Sequence, residues 1–453
     1  MMTDETADGG AAERGHLLRV LGVAFGIAVV VGGTIGQGIL RTPGIVAENS
    51  GAPVLIIVLW ALGAVVAWID SMSTVELASS IRQAGGPFTF AQRAFGSLPG
   101  LAVGICDWLA NLAVIAFIAV VFAEYLHRLG IATDVPLGAM AAVLVLLAGS
   151  IQLLGTKAGG RSQEIGSAVK AVLFLVLILA LFFWPRSAPV ASVVTPEAAA
   201  ALTLGGVIVS LRAIFGTYQG WNSAAYFCEE VRDPGRDIAR ATFSGIAMVA
   251  AIYVLANLAY MSVLTPAEMA GSKLVAADAA ARVFGPAAEP VVTAVSLISL
   301  VTVLNAMVMT FPRVLFGVSR AFNIPVFNRV AANGTPRAAL FATVGLAALL
   351  ASIGVYDLLL AFSVSLLAAM GMMANAAVIV MRVREPGLER PWKMPLYPLP
   401  AILALVINGV LWLAFVSEDP WTALQAFVAL SALTLLAWLV MRRTQARAVK
   451  EST

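Results

Sequence analysis

The sequence is poor in the residues that soluble enzymes and secreted proteins use. Its 453 residues include two cysteines and two histidines, and only 12% of them are charged, about half the fraction typical of soluble domains. It contains no zinc-ligand spacing, no Walker phosphate loop and no Gly-x-Ser-x-Gly motif. Cys106 and Cys228 lie inside hydrophobic segments, which predicts two free, packed thiols and neither a disulfide nor a metal site. We therefore expect no enzyme activity, no bound metal and no cofactor.

Long apolar runs dominate what is present. Hydrophobic residues make up 60% of the chain and the mean hydropathy is +0.93. Runs of about 20 apolar residues, long enough to cross a bilayer, recur throughout, so the class is a polytopic helical protein of the lipid bilayer. Twelve spans are predicted, at residues 17–47, 53–80, 99–127, 136–155, 164–184, 203–230, 241–264, 288–319, 338–354, 358–382, 398–416 and 420–441. Between spans, Pro87 to Phe95 is predicted to be a short amphipathic helix and Thr265 to Glu289 a partly polar loop.

The basic residues set the expected orientation, because cytoplasmic loops are enriched in Lys and Arg. With the N-terminus inside, 20 of the 28 Lys and Arg residues fall in cytoplasmic segments, five fall outside and three lie within spans. This distribution predicts a multi-pass protein of the cell membrane with both termini in the cytoplasm. It also accounts for the pI near 9.0 without a nucleic-acid partner.

Two glycine-rich stretches interrupt the predicted helices. The first is Val31 to Arg41, VGGTIGQGILR, in the first span, and the second is Phe215 to Asn222, FGTYQGWN, in the sixth. Glycine within a helix costs about 1 kcal/mol relative to alanine, and a broken helix in lipid leaves backbone groups that protein, water or a ligand has to satisfy. Interruptions at corresponding places in two halves of a chain indicate a transporter's binding site. The alternative is that the glycines only permit close helix packing.

The breaks, near 33–38 and 216–220, each fall in the first span of one half of the chain. Because five is an odd number, spans 1–5 and 6–10 start on opposite sides, which predicts two inverted five-helix repeats followed by two C-terminal helices. The predicted fold is thus an all-α membrane protein with twelve transmembrane helices. Its parts are a cytoplasmic tail at 1–15, the first repeat at 16–195, the second repeat at 196–383, the last two helices at 384–441 and a cytoplasmic tail at 442–453.

Each break presents opposite partial charges. The N–H groups that open a half-helix attract an anion, and the carbonyl groups that close one attract a cation. In the first break the N–H groups follow Gly36, Gln37 and Gly38, and the carbonyls lie near Thr34 and Ile35; in the second break the carbonyls lie near Gly216 and Gln219. A site with both ends a few ångström apart suits a zwitterion, and the expected substrate is an amino acid.

Several stretches also match a known family. They are GGTIGQGIL at 32–40, Val75-Glu76-Leu77-Ala78, Ala84-Gly85-Gly86-Pro87-Phe88, Ala94-Phe95-Gly96, Tyr218-Gln219-Gly220-Trp221-Asn222 and Glu229-Glu230-Val231-Arg232-Asp233-Pro234. In these motifs, and over about residues 16 to 441, the chain resembles the amino acid–polyamine–organocation (APC) superfamily, near its L-type and bacterial amino acid permeases. The resemblance implies the leucine-transporter-like fold.

The same resemblance implies roles for the residues at the breaks. The substrate carboxylate is expected at the N–H groups of Gly36, Gln37 and Gly38, and the amine at the carbonyls of Thr34, Ile35, Gly216 and Gln219. Two positions depart from the family's pattern: Gln37 stands where small residues such as Ser are common, and Gly216 where an aromatic gate is common. Tyr218 and Trp221 are expected to be wall or gate residues.

Lys170 is an ammonium within the fifth span, where it is costly and should face the protein interior. The resemblance places it where sodium-coupled relatives of the fold hold an ion, next to the first break. A fixed ammonium there could donate to carbonyls freed by unwinding and carry the coupling proton. The alternative is a lysine that extends to the cytoplasmic surface, since Gln163 to Lys170 spans under two helical turns.

Arg212 lies about nine residues into the sixth span, a depth of roughly 14 Å, one turn before Gly216. It could face the outer vestibule and contact the substrate side chain, which would favour acidic or polar amino acids. A structural ion pair is an equal alternative, with Asp70, Asp107 and Glu124 as candidate partners.

The predicted function is secondary amino-acid transport by alternating access, coupled to protons or working by exchange. One alternative is a polyamine or amine carrier, which would favour acidic residues at the breaks, and the breaks contain none. A channel or a membrane sensor is the alternative of a different class, but a channel would need a continuous polar lining. Apart from the small-molecule substrate and the bilayer, no partner is predicted.

Overall fold

The structure is a computed structural model that describes residues 21–36, 38–184, 203–272, 274–324, 326–354 and 356–452. These residues are helical almost throughout. The first half contains α1 (Val23–Thr34), α2 (Gly38–Ser50), α3 (Pro53–Ser80), α4 (Pro87–Phe95), α5 (Ser97–Arg128), α6 (Leu137–Gln152) and α7 (Thr156–Phe183). The second half contains α8 (Leu204–Tyr218), a 3-10 helix (Trp221–Phe227), α9 (Pro234–Met261), α10 (Pro266–Met269), α11 (Val275–Phe284), α12 (Ala288–Thr310), α13 (Pro312–Ala321), α14 (Arg337–Ile353), α15 (Tyr356–Arg384), α16 (Leu399–Glu418) and α17 (Pro420–Ser452).

Eight helices of the described chain are long and apolar enough to cross a bilayer, or nine when the bent pair α1 and α2 counts as one span. α6 and α14 are shorter apolar helices. Each of the twelve predicted spans overlaps a helix or two consecutive helices. The protein is therefore a multi-pass helical membrane protein, whereas the twelve-span count and the inverted repeats remain predictions.

Of the two short segments between the spans, one has the predicted structure and the other does not. α4 occupies Pro87–Phe95, and its Gly86–Pro87 start has the N1 proline that favours helix initiation. The segment predicted as a loop, Thr265 to Glu289, instead contains α10 and α11. α11 buries Val275 and four alanines in the core shared with α2, and its ten residues are too few to give a membrane-spanning signal.

Two of the long helices extend beyond their predicted ends. α7 starts at Thr156, eight residues before the predicted start at 164, because Gly155 with φ of +107° ends the preceding turn. α17 continues to Ser452, through the segment predicted as a tail. The earlier start of α7 places Lys170 fourteen residues into the helix, about 21 Å from its first residue.

Ion pairs join the helices at the predicted cytoplasmic end. Glu230 binds the Arg313 guanidinium of α13, and both side chains are buried. Glu229 accepts two hydrogen bonds from Arg320, at 2.7 and 2.6 Å. The sequence itself predicts that Glu229 and Glu230 end the sixth span in a charge cluster with Arg232, Arg236 and Arg240, and that Arg313, six residues before the inner end of the eighth span, reaches the interface. The prediction for Arg313 is wrong, because its side chain is buried against Glu230, and the structure pairs both glutamates with arginines of α13.

A second group of polar contacts fixes α3 and the start of α1. Glu76 pairs with two arginines: Arg382 donates to it twice at 2.7 Å, and Arg390 lies 3.2 Å away. Leu21 N donates to Glu230 O at 3.0 Å, and Arg232 N donates to Leu21 O at 3.0 Å. Leu21, just before α1, is therefore hydrogen-bonded to the segment that follows the 3-10 helix.

Candidate functional site

Two interrupted helices form the centre of the molecule. α1 ends at Thr34 and α2 begins at Gly38, and the two axes are bent by 47°. α8 ends at Tyr218, and Gly220, with φ of +109°, precedes the 3-10 helix. Such a φ favours glycine over residues with a Cβ atom. The gap in the first helix falls within 33–38 and the gap in the second within 216–220, the stretches that the glycine pattern indicates.

The two gaps are in direct contact. A Cβ atom added to Gly220 would lie 2.7 Å from Gly33 O, and one added to Gly38 would lie 2.5 Å from Thr217 Cγ2. The Thr42 and Thr217 hydroxyls are 2.8 Å apart and hydrogen-bonded. Glycine at these positions therefore lets the two backbones approach each other, so the helices are interrupted where the sequence predicts and the glycines also permit close packing; the binding site remains a prediction.

A tyrosine hydroxyl connects the carbonyl ends of both interrupted helices. Tyr253 of α9 is fully buried, and its Oη lies 2.8 Å from Thr34 O and 3.1 Å from Thr217 O. A phenol has one proton to donate, so the two carbonyls share it. The Tyr253 ring packs edge-on against Trp60 and Tyr218, with centroid distances of 5.3 and 5.0 Å. α9 thus holds the two carbonyl ends at a fixed separation.

The ammonium of Lys170 lies against the first break. Its Nζ donates to Gly32 O at 2.8 Å and to Ile35 O, and the residue is 1% exposed. Ser299 of α12 also donates to Ile35 O, at 3.1 Å. The alternative of a lysine extended to the surface is therefore wrong, because the side chain is buried and bonded to the carbonyls of α1.

Buried polar side chains continue from Lys170 along α7. Ser167 Oγ donates to Ala28 O at 2.6 Å and accepts from Gln163 at 3.2 Å. Asn305 of α12 donates to Gln163 Oε1 at 2.7 Å and accepts from Gln152 of α6 at 2.7 Å. This chain of amides satisfies polar groups that would be costly if left unpaired in an apolar interior. It fixes the orientation of the helix face that carries Lys170.

The second break differs from the expectation at several atoms. Gly216 lies in the last turn of α8, and its carbonyl accepts from Gln219 N at 3.3 Å instead of standing free. Gly216 is exposed, and a Cβ atom there would meet nothing within 4 Å. The Tyr218 hydroxyl donates to Trp60 O at 3.2 Å, which makes Tyr218 part of the wall. The second carbonyl at the break belongs to Thr217, a residue that the sequence pattern did not single out.

Arg212 lies one turn before Gly216 and is partly exposed. Residues four apart share a helix face, so Arg212 and Gly216 point to the same side of α8. Two of its proposed acidic partners are engaged elsewhere: Asp70 accepts from Asn375 and Asn408, and Asp107 accepts from Tyr226 and Asn111. Whether Arg212 contacts the substrate side chain remains a prediction.

The remaining site residues belong to the first break. Thr34 is the last residue of α1, and its Oγ1 is buried without a hydrogen-bond partner in the described part of the chain. Gly36 packs with its Cα toward Val303, where an added Cβ would have an ordinary 3.5 Å contact. Gln37 lies outside the described residues. Both Cys106 and Cys228 are free and buried, as the sequence predicted.

Comparison with known proteins identifies the family. A family model described as "Amino acid permease" matches residues 19–438. The chain belongs to the amino acid permease family. Within the APC superfamily, this permease is 25% identical over 405 residues to the serine/threonine exchanger SteT of Bacillus subtilis (strain 168), covering 87% of this chain and 90% of that protein.

Mammalian transporters are also similar to this permease. It is 27% identical over 417 residues to the b(0,+)-type amino acid transporter 1 of Homo sapiens, covering 89% of this chain and 84% of that protein. It is 27% identical over 342 residues to the large neutral amino acids transporter small subunit 2 of Homo sapiens, covering 71% of this chain and 62% of that protein. The relatives are transporters and exchangers of amino acids, which supports amino acid transport as the function of this permease.

Proposed function

We propose that this permease is a secondary carrier of amino acids that binds the substrate head group between the breaks of α1–α2 and α8–3-10 helix. The observation that supports this best is the direct contact of the two breaks, at Gly220 against Gly33 and Gly38 against Thr217. Two carbonyl ends, Thr34 O and Thr217 O, converge on the single hydroxyl of Tyr253. Each carbonyl oxygen has two lone pairs and can accept a second hydrogen bond from a substrate amine.

The substrate carboxylate is assigned to the start of α2. The first N–H groups of a helix have no partner within it, and its dipole places partial positive charge there. In α2 these groups belong to Gly38 and the residues that follow it. The amine and carboxylate of one amino acid would then bind opposite ends of the same gap. No acidic side chain occurs at either break, so an amine carrier is not favoured.

Transport follows if the helices that carry the breaks move relative to the rest. α1, α3, α8 and α9 are joined to each other around Tyr253, whereas Lys170 of α7 and Ser299 of α12 bind Ile35 O from outside this group. We infer that the carrier alternates its access by moving the first group against α7 and α12. The energy source is a proton gradient or exchange for a second amino acid.

The test of the proposal is counterflow in proteoliposomes with radiolabelled amino acids, with and without a pH gradient. Saturable uptake that is stimulated by internal amino acid is expected. Gly38→Ala should lower it at least about fivefold, because overpacking against Thr217 costs about 1–3 kcal/mol. Gly205→Ala of α8 is the matched control, since a Cβ atom there meets nothing within 4 Å. An ohmic current, or equal uptake by the two variants, would contradict the proposal.

Lys170→Ala tests the coupling. Removal of the ammonium takes the charged donor from Gly32 O and leaves Ile35 O with the Ser299 hydroxyl alone, so uptake should be abolished or lose its response to the pH gradient. The control is Lys157→Ala, an exposed lysine of the same helix. Size-exclusion chromatography shows whether both variants are folded. Normal uptake with a normal pH response in Lys170→Ala would remove the coupling role.

A further inference from the structure

A basic pocket lies at the end of α15, remote from both breaks. It has a volume of about 400 Å³, and three of the residues that line it, Arg382, Arg390 and Lys393, are basic while none is acidic. Beneath it, Glu76 is the one carboxylate that binds two of these arginines. The pocket therefore keeps an excess of positive charge after that pairing is counted.

The basic side chains of the pocket differ in how many of their N–H groups already have hydrogen-bond acceptors within the protein. Arg390 is saturated: its Nη1 and Nη2 donate to backbone carbonyls, including Leu388 O at 2.9 Å and Glu385 O at 2.9 Å. Arg382 uses Nε and Nη2 on Glu76 and lies 4.4 Å from the centre of the Tyr397 ring, which leaves Nη1 without a partner in the described chain. Lys393 is exposed and also has no partner there. Two cationic donors are thus available to a ligand.

The loop carboxylate of Glu385 does not neutralise them. Arg93 of α4 donates to Glu385 at 3.0 and 2.6 Å, and these hydrogen bonds lower the pKa of Glu385 from its ordinary value. Glu385 is therefore ionised and directed toward α4. It does not line the pocket.

Exposed apolar side chains line the pocket or lie close in sequence to its lining residue Tyr397. Val383 lines the pocket and is 75% exposed, and Leu396 and Leu399 are 79% and 62% exposed. Leu396 has φ of +55°, an uncommon conformation for a residue with a branched side chain. Positive charge next to an apolar surface at the end of two transmembrane helices matches the headgroup region of a bilayer, where phosphate and acyl chain meet.

We propose that this pocket binds a phosphate group, held by Lys393 and Arg382, and that its source is an anionic phospholipid whose acyl chains lie on Val383, Leu396 and Leu399. Inorganic phosphate has the same anionic chemistry but gains nothing from the apolar border. The assignment is independent of the transport proposal, because it concerns a different part of the surface and is tested by measuring ligand binding, not transport.

The test uses the purified full chain in a neutral detergent and follows its thermal unfolding midpoint during titration with phosphatidylglycerol. Ligands that bind the folded state raise the midpoint. Phosphatidylcholine with the same acyl chains and inorganic phosphate are titrated in parallel. Lys393→Gln should raise the phosphatidylglycerol concentration at half-saturation about fivefold, the effect of one basic residue near an anionic lipid surface. Lys393→Arg should restore the original concentration.

Lys157→Gln is the matched control, because Lys157 is also exposed but lies on α7, away from the pocket. It should respond to phosphatidylglycerol as the unmodified chain does. If inorganic phosphate stabilises the protein as much as phosphatidylglycerol does, the pocket is a phosphate site, but the proposal that a phospholipid supplies the phosphate is wrong. Equal effects of the two lipids with none from phosphate, or an unchanged titration in Lys393→Gln, would overturn the site.

Discussion

At the residue scale, Tyr253 gives the sharpest prediction. Its hydroxyl is the donor to both Thr34 O and Thr217 O, and Tyr253→Phe removes only that group. The two carbonyl ends then repel each other without a shared donor, so the geometry of the amine site relaxes. We expect the KM for amino acid uptake to rise about tenfold, equivalent to about 1.4 kcal/mol, with a smaller change in maximal rate.

Tyr260→Phe is the control for this prediction. Tyr260 is on the same helix and equally buried, but its hydroxyl has no hydrogen-bond partner in the described residues. Its removal should leave KM unchanged and the fold at least as stable, because no hydrogen bond is lost. Equal KM values for Tyr253→Phe and Tyr260→Phe would show that the bridge does not shape the site.

The sequence predicts the glycines and Lys170 of this site but not Tyr253, Ser299 or Thr217. Glycine within an apolar run and an ammonium within a span are both costly, so each is visible without coordinates. A tyrosine in a span has an apolar ring that fits its surroundings, and only its hydroxyl demands a partner. That partner comes from helices distant in sequence, which no local pattern of α9 reveals.

At the element scale, the end of the 3-10 helix is joined to α13 by the buried pair of Glu230 and Arg313. Glu230→Gln leaves the Arg313 guanidinium without a counter-charge, and breaking a buried pair costs about 3–5 kcal/mol. Glu385→Gln breaks the pair with Arg93, whose side chains are 34% and 38% exposed, at a cost of about 0–1 kcal/mol. Unfolding in mixed detergent measures both. Equal losses of unfolding free energy in the two variants would contradict the claim that the buried pair of Glu230 and Arg313 stabilises the fold more than the exposed pair does.

Element boundaries explain which interpretations of the sequence failed. The apolar run of the fifth span starts near residue 164, but α7 starts at Thr156, because polar residues near a bilayer surface continue a helix without adding hydrophobic signal. The later start is what allowed the alternative that Lys170 extends to the cytoplasmic surface, beside the expectation that it faces the protein interior. α11 was missed for the opposite reason, since its alanine-rich face is buried by protein and its length does not reach that of a span.

At the scale of the whole molecule, ion pairs join helices at both predicted ends of the bundle, and the pairs at the cytoplasmic end are the more buried ones. At the predicted cytoplasmic end, the side chains that pair Glu229 with Arg320 and Glu230 with Arg313 are at most 28% exposed. The outer pairs of Arg128 with Glu289 and of Arg282 with Glu268 are 38–55% exposed. At the second break, Gly216 is exposed to open space. We propose that the less buried outer pairs separate more readily, so that Gly216 is reached from the predicted outer side.

This inference predicts the labelling of a single cysteine in sealed vesicles. Cys106 and Cys228 are the only native cysteines and both are buried, so a membrane-impermeant maleimide should react with Gly216→Cys alone. Substrate should slow the reaction, whereas labelling of Gly205→Cys should not respond to substrate. Adding Arg320→Gln releases Glu229 from α13, shifts the population toward the inward-open state and should lower outer labelling severalfold. Labelling of Gly216→Cys that is insensitive both to substrate and to Arg320→Gln would mean that these ion pairs do not govern access to the site.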